Sequence, residues 1–175
     1  MEIRVISMAS FIEETFNPSL VHSYCSKCEN FNLHFACPPY DFSIPALLSK
    51  YRQVLVISHK LEARQDEYFY WRDLVDPLLM SYERKLNGQA LLAGSCRNCS
   101  FCFDKGAIEC SSPELLRFSF ESLGFDVASI VDKYFKEKLS FESRSLHLVY
   151  GMLLELGADP IVLKELEGEL SELSY

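Results

Sequence analysis

Residues 53–58 read QVLVIS, a run in which four branched apolar residues follow one another without interruption. Such a run is typical of a strand that is buried on both faces of a sheet. Residues 62–86 follow with apolar side chains at helical spacing, and residues 89–93, QALLA, then read as another strand. A strand, a helix and a strand in succession indicate a layered domain in which helices pack on a sheet.

The same reading extends outward to both ends of the chain. Further strands are predicted at 3–7 and 145–154, further helices at 112–124, at 127–139 and from 159 onward, and loops over 13–43. Within the long helical stretch, Asp76-Pro77 is predicted to restart or kink the helix, because proline suits the first turn of a helix and not its interior. The 175 residues therefore predict a single domain over 1–175, of the α/β or α+β class. We expect a small, mostly parallel or mixed sheet with helices packed on it and a C-terminal helical tail over about 158–175.

Composition and charge narrow the class of function. Hydrophobic residues make up 49% of the chain and the net charge is -8, so the protein is globular and lacks the basic surface that nucleic-acid binding requires. The N-terminus, MEIRVISMASFIEE, has no basic flank followed by a long apolar stretch, and no uncharged apolar run reaches transmembrane length. A cytoplasmic protein without membrane contact is expected. In that reducing compartment, seven cysteines in tight groups point to metal or catalysis rather than to disulfides.

All seven cysteines fall in two loops, over 22–43 and 94–112. In the second loop Cys96, Cys99 and Cys102 form C-x2-C-x2-C, and Cys110 follows. Two-residue gaps let a tight loop place three thiolates around one corner of a [4Fe–4S] cluster, and a more distant cysteine completes the set. Zinc is the alternative metal, because four thiolates also suit a tetrahedral site, although zinc prefers two separated pairs. The tight spacing disfavours ordinary buried cysteines.

The first loop holds three cysteines, Cys25, Cys28 and Cys37. Three thiolates could bind a cluster in which a water, a substrate, His22 or His34 completes the fourth position. They could instead form a Cys3His zinc site. A third arrangement shares the ligands, so that Cys37 serves the second loop and Cys110 the first. Both histidines read more simply as surface or hydrogen-bonding residues.

The order of motifs resembles a known family. The chain presents C-x2-C at 25–28, then HFACPPYDF, AGSCRNCSFC, a cysteine beside SSP, and SFESLGFDV. This order is similar to the predicted metal-binding family called domain of unknown function 2284, over about residues 25–154. The resemblance implies that all seven cysteines are metal ligands. It also implies a shared structural stretch that includes Ser119, Glu121, Gly124, Asp126 and Val127. Ala36, where an aromatic residue is usual, and Phe118, where proline is usual, depart from the family pattern.

Three functional hypotheses follow from these patterns. The first is a small electron-transfer protein, or an accessory of a redox enzyme, that carries one or two [4Fe–4S] clusters and docks to a redox partner through its acidic surface. The second is an enzyme in which the three-cysteine site leaves one iron open to a substrate. The third is a zinc-stabilised interaction module. The chain has no glycine-rich phosphate loop, GxSxG or HExxH, so no catalytic residue is assigned and enzymatic activity is an open question.

Overall fold

The computed structural model describes residues 1–61, 67–99, 109–139 and 145–173. Its strands are β1 (Glu2–Ser7), β2 (Gln53–Leu61), β3 (Gly88–Leu91) and β4 (Leu146–Leu154). Its helices are α1 (Met8–Thr15), α2 (Pro18–Cys25), α3 (Ile44–Leu48), α4 (Tyr68–Leu86), α5 (Val127–Phe135) and α6 (Pro160–Glu172). A 3-10 turn covers Pro113–Leu115. All four predicted strands are thereby confirmed, with small shifts of their ends.

The strands form one sheet in the order β1-β2-β4-β3, and each hydrogen-bonded pair within it is antiparallel. The prediction of a mostly parallel or mixed sheet is therefore wrong, whereas the α+β reading agrees with this structure. The error has a simple cause. β2 and β3 do run in the same direction on either side of α4, as a strand-helix-strand unit would. However, β4 comes from the far end of the chain, inserts between them and runs opposite to both.

The two faces of the sheet carry different parts of the molecule. Val54 and Val56 of β2 belong to an apolar cluster that includes Phe11 of α1 and Ile130 of α5. The residues that alternate with them, Leu55 and Ile57, belong to a second cluster, with Val75 and Leu79 of α4 and Leu166 of α6. Helices therefore cover both faces, which explains why β2 is apolar on both sides.

Gly151 of β4 allows an aromatic ring to approach the centre of the sheet. A Cβ at this position would overlap the ring of Phe120 and lie 2.8 Å from the carbonyl oxygen of Leu55. Phe120 is fully buried in the cluster that contains α1 and α5. This contact fixes the turn that follows Phe120, and that turn carries Glu121.

Three local predictions are corrected. α4 continues through Pro77 as one helix, and Asp76 pairs with Arg72 instead of capping a new helix. The helix predicted over 112–124 is limited to the 3-10 turn, since the backbone is extended at Leu116, and the Arg117 guanidinium binds the carbonyl oxygens of Glu114 and Leu116. The segment predicted as loops contains α2, α3 begins just after it, and only the last three residues of α1 fall within it. The last helix is confirmed, with the Asp159 carboxylate accepting from the backbone N–H of Ile161 at 2.8 Å.

Among the described residues, no helix combines the length and the apolar character that crossing a membrane requires.

Candidate metal centre

A helix end positions the first two cysteines. Asn17 caps α2 by accepting from the backbone N–H of Leu20 at 3.2 Å, and Pro18 occupies the first turn. The helix ends at Cys25, and the backbone N–H of Cys28 donates to the carbonyl oxygen of Cys25 at 2.9 Å. This turn places Cys28 beside Cys25, with the Cys28 side chain exposed and that of Cys25 half-buried.

The third cysteine stands on a loop that backbone hydrogen bonds hold in place. The N–H of Cys37 donates to the carbonyl oxygen of His34 at 3.0 Å, and the N–H of Asn32 donates to that of Pro38 at 3.0 Å. The hydroxyl of Tyr40 donates to the carbonyl oxygen of the buried Ala36 at 2.7 Å. The loop is thus anchored on both sides of Cys37.

These three cysteines line one cavity with a volume of about 720 Å³. Its rim carries exposed aromatic side chains, Tyr24 from α2 and Phe69 from α4. The cavity falls within the size range of sites that bind small molecules. It is therefore the place where the structure brings together the first cysteine group.

The opposite wall contains a buried ion pair. Arg72 and Asp76 of α4 bind through two hydrogen bonds to one carboxylate oxygen, at 2.9 and 3.1 Å, and Arg72 is 1% exposed. Arg72 also donates to the carbonyl oxygen of Ser95 at 2.7 Å, and the Tyr68 hydroxyl donates to that of Ala93 at 2.5 Å. These bonds attach α4 to the segment that leads into the second cysteine loop.

Gly94 makes the close approach of Tyr68 possible. Its φ of +102° lies in the left-handed region, and a Cβ would overlap the Tyr68 hydroxyl. Gly94 itself lines the cavity. A larger residue would push Tyr68 away from the wall.

Glu121 is one of three carboxylates that line the cavity, with Glu29 and Asp126, and it is half-buried. Burial raises its pKa, while its own backbone N–H, the Ser119 hydroxyl and the charge of Arg72 oppose that rise. The pKa of the Cys25 thiol is also raised, first by burial and then by the negative charges of Glu121 and Cys28. In the absence of a metal the protonated thiol is favoured, whereas a bound cation would favour the thiolate and release the proton.

The second cysteine group lies apart from this cavity. Cys96 is buried in the apolar cluster with Phe118, and its thiol points toward the carbonyl oxygen of Leu115 at 3.8 Å. Cys99 and Cys110 are half-buried. None of these three lines the cavity. Cys102 lies outside the described residues, so the four-cysteine ligand set stays a prediction.

The donors at the cavity fit a soft metal centre. Three thiols supply the ligands that zinc and iron–sulfur clusters require. The backbone N–H of Asn30 also points to the sulfur of Cys28 at 3.5 Å, the kind of contact that stabilises a metal-bound thiolate. Within the four described ranges, no group of three histidine, cysteine or acidic side chains is arranged to hold a single metal ion. No disulfide joins the six cysteines found there.

Neither candidate histidine lines the cavity. His22 is exposed and packs edge-on against Phe31 with 5.6 Å between the ring centres. His34 is half-buried, and burial lowers its pKa. Glu121 occupies the cavity wall instead.

The sequence analysis missed the polar wall. The apolar spacing over 62–86 predicts a helix but gives Tyr68 and Arg72 no role of their own. The spacing does hold a signal, because Tyr68, Arg72 and Asp76 recur every four residues and therefore share one helix face with buried Val75 and Leu79. A charged pair on a face that is otherwise apolar indicates a buried ion pair.

The fold and the site define an α+β protein with a cysteine-lined cavity that faces a buried ion pair. The chain belongs to the predicted metal-binding protein family DUF2284, a domain of unknown function, whose model matches residues 14–154. The family predicted from the order of the cysteine motifs is thus confirmed. Neither a comparison with curated proteins nor one with solved structures found a match.

Proposed function

We propose that this chain is an iron–sulfur protein that binds a [4Fe–4S] cluster through Cys25, Cys28 and Cys37 at the cavity. The observation that carries the proposal is the presence of these three thiols on one cavity of about 720 Å³, which is far larger than a single ion needs. A bound cluster would supply one-electron transfer. The Asn30 N–H would stabilise the Cys28 thiolate, and the aromatic rim would limit the access of water.

A second cluster would use Cys96, Cys99, Cys102 and Cys110. Its support is the C-x2-C-x2-C spacing together with a separate location, since Cys96, Cys99 and Cys110, the three described cysteines of this set, do not line the cavity. Cys96 enters an apolar cluster, an environment that favours lower net charge at a metal site. The chain would then carry two centres of different exposure.

We propose that the exposed centre transfers electrons, either on its own or as part of an accessory protein of a redox enzyme. Cys28 is exposed, and Tyr24 and Phe69 beside it are 60% and 52% exposed, so a partner protein could approach the first site closely. The net charge of -8 favours a redox partner with a basic surface. We therefore expect the rate of electron exchange with such a partner to fall as salt increases.

An enzyme with an open iron is the second candidate, and the cavity is the observation that favours it. A volume of about 720 Å³ could hold a small substrate beside the three thiols. In that case the fourth position would bind the substrate, and no side chain would fill it. A closed zinc site that only stabilises the fold is the remaining alternative.

Iron, zinc and acid-labile sulfide per chain, measured on protein purified without oxygen, test the proposal. We expect about four iron and about four sulfide for each cluster, with an electron paramagnetic resonance signal after reduction. A colourless protein with stoichiometric zinc and no sulfide would contradict it.

Cysteine variants assign the centres. The triple replacement of Cys25, Cys28 and Cys37 by serine is expected to remove about four iron and leave the second centre, whereas Cys99→Ser is expected to remove the second centre and leave the first. Loss of all iron in both variants would instead indicate ligands shared between the two loops.

A further inference from the structure

We infer that the Glu121 carboxylate is the non-cysteine donor to the Cys25, Cys28 and Cys37 site, an assignment that rests on the proposed function. The sequence offers water, a substrate or a histidine for the fourth position. The structure instead brings an acidic side chain, from a segment almost 100 residues away in the chain, to the cavity that the three thiols line.

The proximity of Glu121 to the thiols is the first support. Its negative charge acts directly on Cys25, and it acts also on Tyr68 of the opposite wall. Glu121, Cys25 and Tyr68 all line the same cavity. When ionised, a carboxylate and neighbouring thiolates repel one another, and a cation bound among them would remove that repulsion.

A rigid turn holds the carboxylate in place. The Ser119 N–H donates to the Ser122 hydroxyl at 2.9 Å, and the Ser122 N–H donates to the Ser119 hydroxyl oxygen at 3.1 Å. The residues that flank Glu121 in the core, Phe120 and Leu123, are both fully buried. The Ser119 hydroxyl also favours the ionised form of the Glu121 side chain and so opposes the rise of its pKa. A ligand oriented by such neighbours is prepared for a metal before the metal binds.

The other candidates fit less well. His22 is exposed and packs against Phe31, and neither His22 nor His34 lines the cavity. Of the other carboxylates that line the cavity, Glu29 is exposed, and Asp126 already caps α5 by accepting from the backbone N–H of Ala128 at 3.1 Å. Carboxylate binding at one iron would also favour electron transfer over substrate chemistry, because a substrate would have to displace Glu121.

Three variants test this assignment. Glu121→Gln keeps the size and the hydrogen bonds of the side chain but binds iron poorly, and Glu121→Cys offers a thiolate at the same position. Glu114→Gln is the matched control, because it removes the same charge at an exposed position that does not line the cavity. For each protein, prepared without oxygen, we would measure iron and sulfide per chain, the electron paramagnetic resonance spectrum after reduction, and the rate of iron loss under mild oxidation.

We expect the Glu121→Gln protein to lose iron about 10-fold faster than the wild type and to show an altered spectrum, as changes around a metal ligand commonly do. Glu121→Cys is expected to retain its iron with a spectrum shifted in another way, and Glu114→Gln to match the wild type. If both Glu121 variants match the wild type in spectrum and iron loss, the assignment is wrong while the proposed function stands.

Two further outcomes lead to different conclusions. Wild-type protein that contains no iron and sulfide at the first site would refute the proposed function itself. If the Glu121→Gln protein fails to fold, as judged by circular dichroism, Glu121→Cys decides: an unchanged spectrum in that variant overturns the assignment, and a changed spectrum supports it.

Discussion

The two cysteine groups begin with related spacings but meet different surroundings. Cys25 and Cys28 stand at the end of a helix, on the rim of a cavity that also holds Glu121. Cys96 starts the other group inside an apolar cluster, with its sulfur 3.8 Å from the carbonyl oxygen of Leu115. The same C-x2-C pattern therefore lies at an accessible cavity in the first group and begins within the apolar core in the second.

The difference shows that cysteine spacing does not determine the surroundings of the cysteines. Charge, access and volume at each group come from residues distant in sequence, chiefly Arg72, Glu121 and Phe118. Arg72 matters most to the comparison, because it lines the cavity and also binds the carbonyl oxygen of Ser95, directly before Cys96. Variants at Arg72 and its neighbours should show how strongly the contacts between the two cysteine groups stabilise the protein.

The largest effect is expected for Arg72→Met. It leaves Asp76 charged and unpaired in a buried position, so the free energy of unfolding should fall by about 3–5 kcal/mol. Arg97→Met removes an exposed pair with Asp73 and should cost only about 0–1 kcal/mol. Urea unfolding of both metal-free variants measures the difference. Equal losses would mean that the ion pair does not join the two regions.

Gly94→Ala is expected to have the next largest effect. A side chain at φ +102° is strained, and its Cβ would overlap the Tyr68 hydroxyl, so stability should fall by about 1–3 kcal/mol. The added Tyr68→Phe change removes that hydroxyl and should recover part of the loss, which a double-mutant cycle would detect. Gly168→Ala is the control, because no atom lies within 4 Å of its Cβ and alanine favours the helix. A simple sum of the two single effects would contradict the overlap.

Local sequence signals explain why part of this architecture was predictable. The contiguous apolar residues of β2 lie between two helical layers, and Asp159 has a cap geometry that its own neighbours define. The cysteine order likewise identified the family. In each case the deciding interactions are short in sequence or repeat along one element.

The features that escaped prediction depend on distant partners. The antiparallel sheet follows from the insertion of β4 between β2 and β3, which no local pattern records. Asp76-Pro77 has the sequence of a helix start, but Arg72 takes the carboxylate as its ion-pair partner. Glu121 lines the cavity of the first cysteine group, and its neighbour Phe120 packs over Gly151 in the sheet, a contact between segments distant in sequence. The cavity is therefore a product of tertiary packing.

Replacement of cysteine by serine should destabilise the metal-free protein to a different extent in the two cysteine groups. Cys96→Ser places a hydroxyl among apolar side chains and should lower the free energy of unfolding by about 1–3 kcal/mol. Cys28→Ser changes an exposed side chain and should stay within about 0.5 kcal/mol of the wild type. Denaturant unfolding with reductant and chelator present gives both values. A larger loss for Cys28→Ser would reverse the comparison.

The smallest expected effect concerns thiol reactivity in the reduced, metal-free protein. Only the thiolate reacts with iodoacetamide, so exposed Cys28 should be labelled before Cys25, and buried Cys96 only on unfolding. Glu121 contributes to the raised pKa of Cys25, so removing its charge in Glu121→Gln should lower that pKa and speed Cys25 labelling at neutral pH by about 2–10-fold. The midpoint of the rate against pH should shift downward, while Glu114→Gln should leave it in place. Peptide mass spectrometry follows each cysteine separately. If Cys25 is labelled at the same rate in the wild type and in Glu121→Gln, the charge of Glu121 does not act on Cys25.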